Sequence, residues 1–451
     1  MLSKKEDFIL ADNLVVYNDH AKIEDCEGIL LAELLIYPTP RIIWNFKPII
    51  EQSINFSQKN FVGNSLKVEK IKVKKFNLAG SGTGTASNVF LGNLDAPAHT
   101  FHFYLPNTKF QENEFQEIVE EGRFIEVPLN PIWSVKLEIG KDALQWLNQD
   151  EGNIGTRLTG IGKLYQPTRA ESADDLLTSL PSLTITETQE MLKSLCCLLS
   201  YANGGFVAPI FIESEKSKVI KTNYQVTALE QLGTSWLTRL SNLKAFVGCF
   251  SSFEKMLVQP FWKDTFYFVL VQYFQAIRGG NWELAASATG AALERLSHAI
   301  LVEDETEPTK KEDFEKLFSS DQRTRNLANQ SLGSGAKVTE TRLSLLLKRI
   351  GLTTSRGFND IQDVKDFLDV RNDAVHPKVS DTSQDKRWCL ILQGIQWIDE
   401  VLLWRLGYDG KYLDRVTYAA MCYPVAGSTP ITSSTLEITP RYDLSSRDPN
   451  W

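Results

Sequence analysis

Along much of the first 165 residues the apolar positions recur with the period of a strand. Gly28 to Tyr37 is a continuous apolar run of buried-strand length, and Arg41 to Phe46 (RIIWNF) follows the turn-forming Pro38-Thr39-Pro40. Ile71 and Val73 alternate with lysines in Lys67–Lys75, which reads as one basic strand with a solvated face. The period of two returns at Thr100–Tyr104 and Trp133–Ile139. Short strands at this spacing predict an antiparallel sandwich or a strongly curved sheet, with one short helix near 143–147. Gly80–Ala86 (GSGTGTA) invites comparison with a phosphate loop. It lacks the Gly-Lys-Ser/Thr ending, and Ser87–Gly92 beyond it is strand-like, so a flexible hairpin loop is expected.

The period changes after a Ser/Thr/Pro-rich linker at 166–185. Thr186–Gln189 can cap a helix that runs through Leu199 and stops at Gly204-Gly205. Val207–Ile212 and Val219–Val226 read as a small β insert. Beyond Ala228 a 3.6-residue period predicts helices at 228–246, 250–277, 281–302, 337–350, 360–375 and 384–406, with a long connection over 303–336. The expected class is therefore α+β: a β-rich domain at 1–165, a linker with helix and insert at 166–227, a helical domain at 228–410 and an irregular tail at 411–451.

Composition adds exclusions. With 451 residues, 43% hydrophobic and 23% charged, the chain is neither disordered nor a continuous coiled coil. Its 48 Lys+Arg against 56 Asp+Glu give a net charge of -8, which argues against a protein that coats nucleic acid, though not against a local basic cleft. Six cysteines without a C-x-x-C pattern read as free, mostly buried thiols of a reducing compartment. The charged start, Met1–Asp7, has no signal-peptide pattern. The apolar window Met256–Ile277 is broken by Gln259, Lys263, Asp264, Gln272 and Gln275, so it reads as a buried helix and not a membrane span. A cytoplasmic protein with no membrane partner is expected. The aromatics Phe261, Trp262, Phe266, Tyr267, Phe268, Tyr273 and Phe274, and Trp388, Trp397 and Trp404, recur at helical spacing and are expected to pack.

The sharpest local signal is Val370-Arg371-Asn372-Asp373-Ala374-Val375-His376-Pro377. Pro377 disfavours helical geometry at His376 and closes the predicted helix. Asn372 and His376 are four apart and share a face, with Arg371 on the adjacent one. A guanidinium suits bidentate phosphate contact, and an imidazole is the side chain suited to proton transfer near neutral pH. Arg-Asn followed by His at the fifth position after Arg arises by chance on the order of one time in a hundred.

Arg371-Asn372-Asp373-Ala374-Val375-His376, with helices on either side, resembles the RX4-6H motif of HEPN domains, whose commonest form is Arg-Asn-x-x-x-His. Trp282–Leu296 resembles that family's first core helix, and a β-rich region ahead of a helical one is similar to ApeA-type proteins of phage defence. The resemblance implies a metal-independent, cofactor-free endoribonuclease acting as a homodimer on RNA, under the control of a phage-derived or cellular trigger. On this chain His376 would be the general base toward a ribose 2′-hydroxyl, and Arg371 would stabilise charge on the scissile phosphate. Asn372 would orient His376 or bind a phosphate oxygen, Glu294 would position Arg371 or His376, and Lys378 would be a second RNA contact.

Two other readings stay open. The helical domain can be a non-catalytic HEPN-like scaffold whose β domain recognises a ligand or protein. Alternatively the cluster is structural, with Arg371 paired to Asp369 or Asp373 and His376 capping its own helix. His298, one turn beyond Glu294, reads as a surface histidine or an outer member of the site. His99 and His102 fall on opposite faces of a strand, so a shared metal is not expected.

Overall fold

The computed structural model describes residues 13–23, 26–35, 41–49, 60–62, 66–76, 82–108, 124–139, 158–167, 181–222, 225–228, 231–304, 338–352, 361–376, 382–422 and 436–447. These form an α+β molecule in two units, one ending at Leu232 and one beginning at Gly233. The predicted helix at 143–147 and most of the 166–185 and 303–336 connections lie outside the described residues.

The first unit contains β1 (Asn13–Ile23), β2 (Cys26–Leu35), β3 (Arg41–Pro48), β4 (Asn60–Val62), β5 (Leu66–Glu69), β6 (Lys72–Phe76), β7 (Gly82–Ala86) and β8 (Asn88–Gly92). It continues with β9 (Thr100–Pro106), β10 (Phe124–Pro128), β11 (Ser134–Ile139), β12 (Leu158–Tyr165), helix α1 (Ile185–Asn203), β13 (Phe211–Glu213) and β14 (Ser217–Lys221). The smaller sheet runs β1-β2-β3-β7-β6 and the larger β10-β11-β12-β9-β13-β14-β8-β5-β4. In β3 the alternation sends Ile42, Trp44 and Phe46 inward and leaves Arg41, Asn45 and Lys47 exposed. Those three join Leu66, Val68, Val89, Tyr104, Phe211 and Ile220 of the larger sheet in one buried cluster, so the arrangement is a sandwich.

Four local expectations are corrected in this unit. The Gly-rich segment is strand for Gly82–Ala86, paired to β3 and β6. A Cβ at Gly84 would lie 2.0 Å from the Lys72 carbonyl oxygen and 2.7 Å from Trp44 Nε1, so glycine here permits close strand packing. The lysine-rich run is two strands, not one. It breaks at Lys70, whose φ of 54° is left-handed, and β5 joins the larger sheet while β6 joins the smaller. The hairpin of β13 and β14 is no separate insert: it fills the middle of the larger sheet, with Phe211 opposite Tyr104 on one side and Ile220 on the other. The α1 cap also lies two residues earlier than expected. Glu187 N–H donates to Thr184 Oγ1 at 3.2 Å, and Thr184 N–H donates to Glu187 Oε2 at 2.8 Å.

The second unit contains α2 (Leu240–Val247), α3 (Phe250–Val258), α4 (Pro260–Ile277), α5 (Trp282–His298) with a π-helical turn over Ala299–Glu303, α6 (Val338–Arg349), α7 (Ile361–Val375) and α8 (Gln384–Leu406). β15 (Tyr412–Leu413), α9 (Arg415–Cys422) and β16 (Glu437–Ile438) follow. Helix α5 is the hub, packing against α4, α6, α7 and α8. No helix among the described residues is long and apolar enough to cross a membrane.

Among the described residues of the predicted helix at 228–246, the α-helix begins at Leu240. Trp236 is fully buried against Phe246 and Tyr408, and its carbonyl accepts a hydrogen bond from Leu413 N–H, so tertiary packing overrides helical periodicity. The predicted 250–277 helix is two helices, because Pro260 at the start of α4 holds Gln259 in extended geometry. Most of the expected aromatic core is buried, but Tyr267 and Phe268 of α4 face solvent.

The tail is ordered where it is described, and charge is what ties it down. Buried Arg415 donates from Nε to Asp399 Oδ2 at 2.5 Å, from Nη2 to the Tyr273 hydroxyl at 2.7 Å and from Nη1 to the Thr234 carbonyl at 3.1 Å. Glu400 Oε1 accepts from Arg441 Nε at 2.7 Å and from the Tyr412 hydroxyl at 2.9 Å. Cys196, Cys197, Cys249 and Cys389 form no disulfide. Only Cys196 is fully buried by exposure, and loss of hydration pushes the Cys197 and Cys249 thiol pKa values up to about 12.

Candidate functional site

Helix α7 presents Val364, Phe367, Leu368 and Val370 to the core. The stripe of Val364, Phe367 and Leu368, spaced by three and four, meets Arg371 at its next position. The facing helix α5 is rich in small residues: Ala285, Ala286, Ala288, Gly290 and Ala292 are all buried. Gly290 makes the room that Arg371 uses, since a Cβ there would stand 2.8 Å from Arg371 Cγ and 3.2 Å from its Nε. One helical turn further along the same face, Glu294 receives the guanidinium, and Arg371 Nη2 donates to its Oε1 at 3.1 Å. Arg371 Nη1 donates to Asn372 Oδ1 at 3.2 Å.

The pair is partly exposed, with side-chain exposures of 26% for Arg371 and 39% for Glu294. An ion pair this wet contributes on the order of 1 kcal/mol or less to stability. Its structural consequence is orientation. Two of the guanidinium's five donors are engaged by protein oxygens, and the planar fork is held across the α5–α7 contact.

His376 follows the last residue of α7, and its N–H donates to the Asn372 carbonyl at 2.8 Å. The residue is exposed, and its imidazole makes no hydrogen bond to another described residue. The structure thus joins Arg371, Asn372 and Glu294 by direct contact and leaves His376 at the open end of the same helix. Arg371 pairs with Glu294, where the structural reading allowed a pairing with Asp369 or Asp373. Pro377 and Lys378 lie outside the described residues.

The other histidines take separate places. His298 Nδ1 lies 3.4 Å from Arg295 Nη1 and 3.7 Å from Glu303 Oε2, beside the 2.8 Å Arg295–Glu303 ion pair. His99 Nδ1 is 2.9 Å from Gln166 Oε1. Among the described residues, no group of three or more His, Cys, Asp or Glu could hold a metal ion. Sequence reasoning missed Gly290. Its signal was a glycine inside a helix, four residues before Glu294, where helix propensity alone disfavours it.

A family model described as the YopA C-terminal domain matches residues 259–424, from the start of α4 through α9, which includes Gly290, Glu294, Arg371, Asn372 and His376. The matched segment is less than half of the chain. No curated protein and no solved structure matches.

Proposed function

We propose that the helical unit is a metal-independent endoribonuclease of HEPN type, working in the cytoplasm as a homodimer in phage defence or stress-induced RNA cleavage. The observation that carries the reading is the oriented Arg371, locked to Glu294 across two helices, on the helix whose open end carries His376. In this reading the neutral His376 imidazole takes the proton of a ribose 2′-hydroxyl. The 2′ oxygen attacks the adjacent phosphorus, the bond to the 5′ oxygen breaks, and the departing oxygen is protonated from water. The products are a 2′,3′-cyclic phosphate and a 5′-hydroxyl. Arg371 stabilises the charge that builds on the phosphate, Asn372 fixes the guanidinium through its Oδ1, and Lys378 adds a second phosphate contact. The β unit would sense the trigger.

One observation favours a second reading, that of a non-catalytic HEPN-like binding protein. The His376 imidazole has no hydrogen-bond partner among the described residues to orient it, and Glu294 offsets the charge of Arg371. Incubating the purified protein with end-labelled RNA in EDTA separates the two. Cleavage that survives chelation and falls at least a hundredfold in His376→Ala and Arg371→Ala is expected. Intact RNA with wild-type protein, or equal cleavage by His376→Ala, would sink the enzyme.

A further inference from the structure

The two sheets of the first unit are unequal, with five strands facing nine. The buried cluster between them reaches along the larger sheet to Tyr104 of β9 and Ile161 of β12 and takes nothing from β10 or β11. The same face of the larger sheet therefore continues beyond the sandwich. On it the register sets Glu126, Lys136, Lys163, His102, Glu213 and Lys218 side by side across β10, β11, β12, β9, β13 and β14. Neighbouring strands in such a row lie roughly 4.8 Å apart. The two carboxylates of the row are engaged. Glu213 Oε2 lies 3.1 Å from Lys218 Nζ, its Oε1 accepts from the Tyr104 hydroxyl at 2.8 Å, and Glu126 accepts from the Tyr165 hydroxyl. Lys136 and Lys163 stand directly opposite each other, with no ion pair to a described residue, and His102 is the next partner of Lys163. Like charges in opposite positions work against strand pairing. Each ammonium lies instead over an aromatic ring: Lys136 Nζ is 3.9 Å from the Phe124 centroid and Lys163 Nζ is 5.0 Å from that of Tyr165. Phe124 is 43% exposed, and one more carboxylate, exposed Glu138, shares this face.

We propose that this open half of the larger sheet binds single-stranded RNA, with Lys136 and Lys163 toward phosphates and the rings of Phe124 and Tyr165 toward bases. Charge complementarity selects the ligand, because two lysines that repel each other both gain from a phosphate chain laid across their strands. The rings select its strandedness, because a base offers its face to a side chain only when it is not stacked inside a duplex. An acidic protein segment would satisfy the lysines and leave the rings without a stacking partner. RNA in place of DNA is taken from the ribonuclease reading; the binding of a single strand stands without that reading.

The test is fluorescence anisotropy of the full chain with a labelled single-stranded 2′-O-methyl RNA, which has no 2′-hydroxyl to react. It is run over a salt series in wild type and in Arg371→Ala. In both backgrounds Lys136→Gln with Lys163→Gln should weaken binding about tenfold or more at low salt. The slope of log affinity against log salt should become shallower by about 1.4, the counterion release of two phosphates on a single strand. Lys136→Arg with Lys163→Arg should keep affinity within about twofold of wild type. Phe124→Leu, which leaves an apolar side chain on the edge strand, should weaken binding about five- to tenfold without changing the slope. A duplex of the same sequence should bind more weakly than the single strand. Unchanged binding in the lysine variant overturns the proposal, as does equal affinity for the duplex or no binding by wild type. Binding that disappears in Arg371→Ala and ignores both lysines places the RNA on the helical unit alone and has the same force. Tighter binding of single-stranded DNA overturns the choice of RNA. If the double lysine variant fails to fold by circular dichroism, Lys163→Gln alone should give half the change in slope. Binding by wild type without cleavage of ordinary RNA removes the ribonuclease reading, while the lysine and phenylalanine variants still decide this site.

Discussion

Arg371 is a charged residue placed where a leucine would continue the α7 core stripe, and its surroundings compensate in two ways. Gly290 gives the stem space and Glu294 meets the head. This separates the stability of the site from its geometry. Gly290→Ala gains helix propensity of up to about 1 kcal/mol but forces a methyl group against Arg371 Cγ. The expected variant unfolds within a few degrees of wild type yet has lost the 3.1 Å contact to Glu294, and under the proposed ribonuclease function its RNA cleavage falls at least tenfold. Calorimetry and the cleavage assay together check this, and unchanged cleavage would mean that the Arg371 orientation is not fixed by Gly290. The motif at 371–376 was legible because its residues are close in sequence. Gly290 was not, because its meaning depends on which helix lies opposite.

Elements show the same division. Helix α8 was readable to its ends: Ser383 accepts from Lys386 N–H at the start, and Gly407 takes left-handed φ at the finish. Its interior carries a glycine for a reason no single-helix pattern contains. A Cβ at Gly394 would come within 2.6 Å of the Phe367 ring on α7 and 2.8 Å of Thr289 Cγ2 on α5. Gly394→Ala is expected to destabilise the helical unit by about 1–3 kcal/mol through forced separation of three helices. A denaturant midpoint equal to wild type would refute that packing. The misread elements have a common cause as well. Residues 228–239 have helical periodicity, yet the burial of Trp236 and its carbonyl bond to Leu413 hold residues 232–239 out of a helix. The Gly82–Ala86 strand was hidden because its neighbours, β3 and β6, and not its own residues, explain the glycines.

For the molecule as a whole, charge read from composition was a poor guide to the core. Asp399, Glu400 and Arg415 are all fully or nearly fully buried, and the partners that neutralise the two carboxylates come from residues after Gly410. A tail rich in Ser, Thr and Pro therefore completes the helical unit. Ending the chain at Gly410 removes Arg415, Tyr412 and Arg441 and strands two carboxylates in the core. Each uncompensated buried charge costs about 3–5 kcal/mol, enough together to exhaust the stability of an ordinary domain. Circular dichroism and limited proteolysis should find the shortened protein unfolded over its helical half. A cooperative thermal transition at the wild-type temperature would contradict the role assigned to these pairs.

The hairpin of β13 and β14 lies between β9 and β8 in the larger sheet, although it is synthesised more than a hundred residues after them. Until Lys221 has left the ribosome, β8 and β9 each carry an open edge with unpaired backbone groups. At roughly 5–20 residues per second, the stretch from Tyr165 to Lys221 leaves those edges unsealed for several seconds. During that interval the nascent chain has two sticky borders facing a gap of its own width. The last strands of this sheet to emerge act as its keystone, which makes a fragment ending at residue 165 a poor candidate for expression.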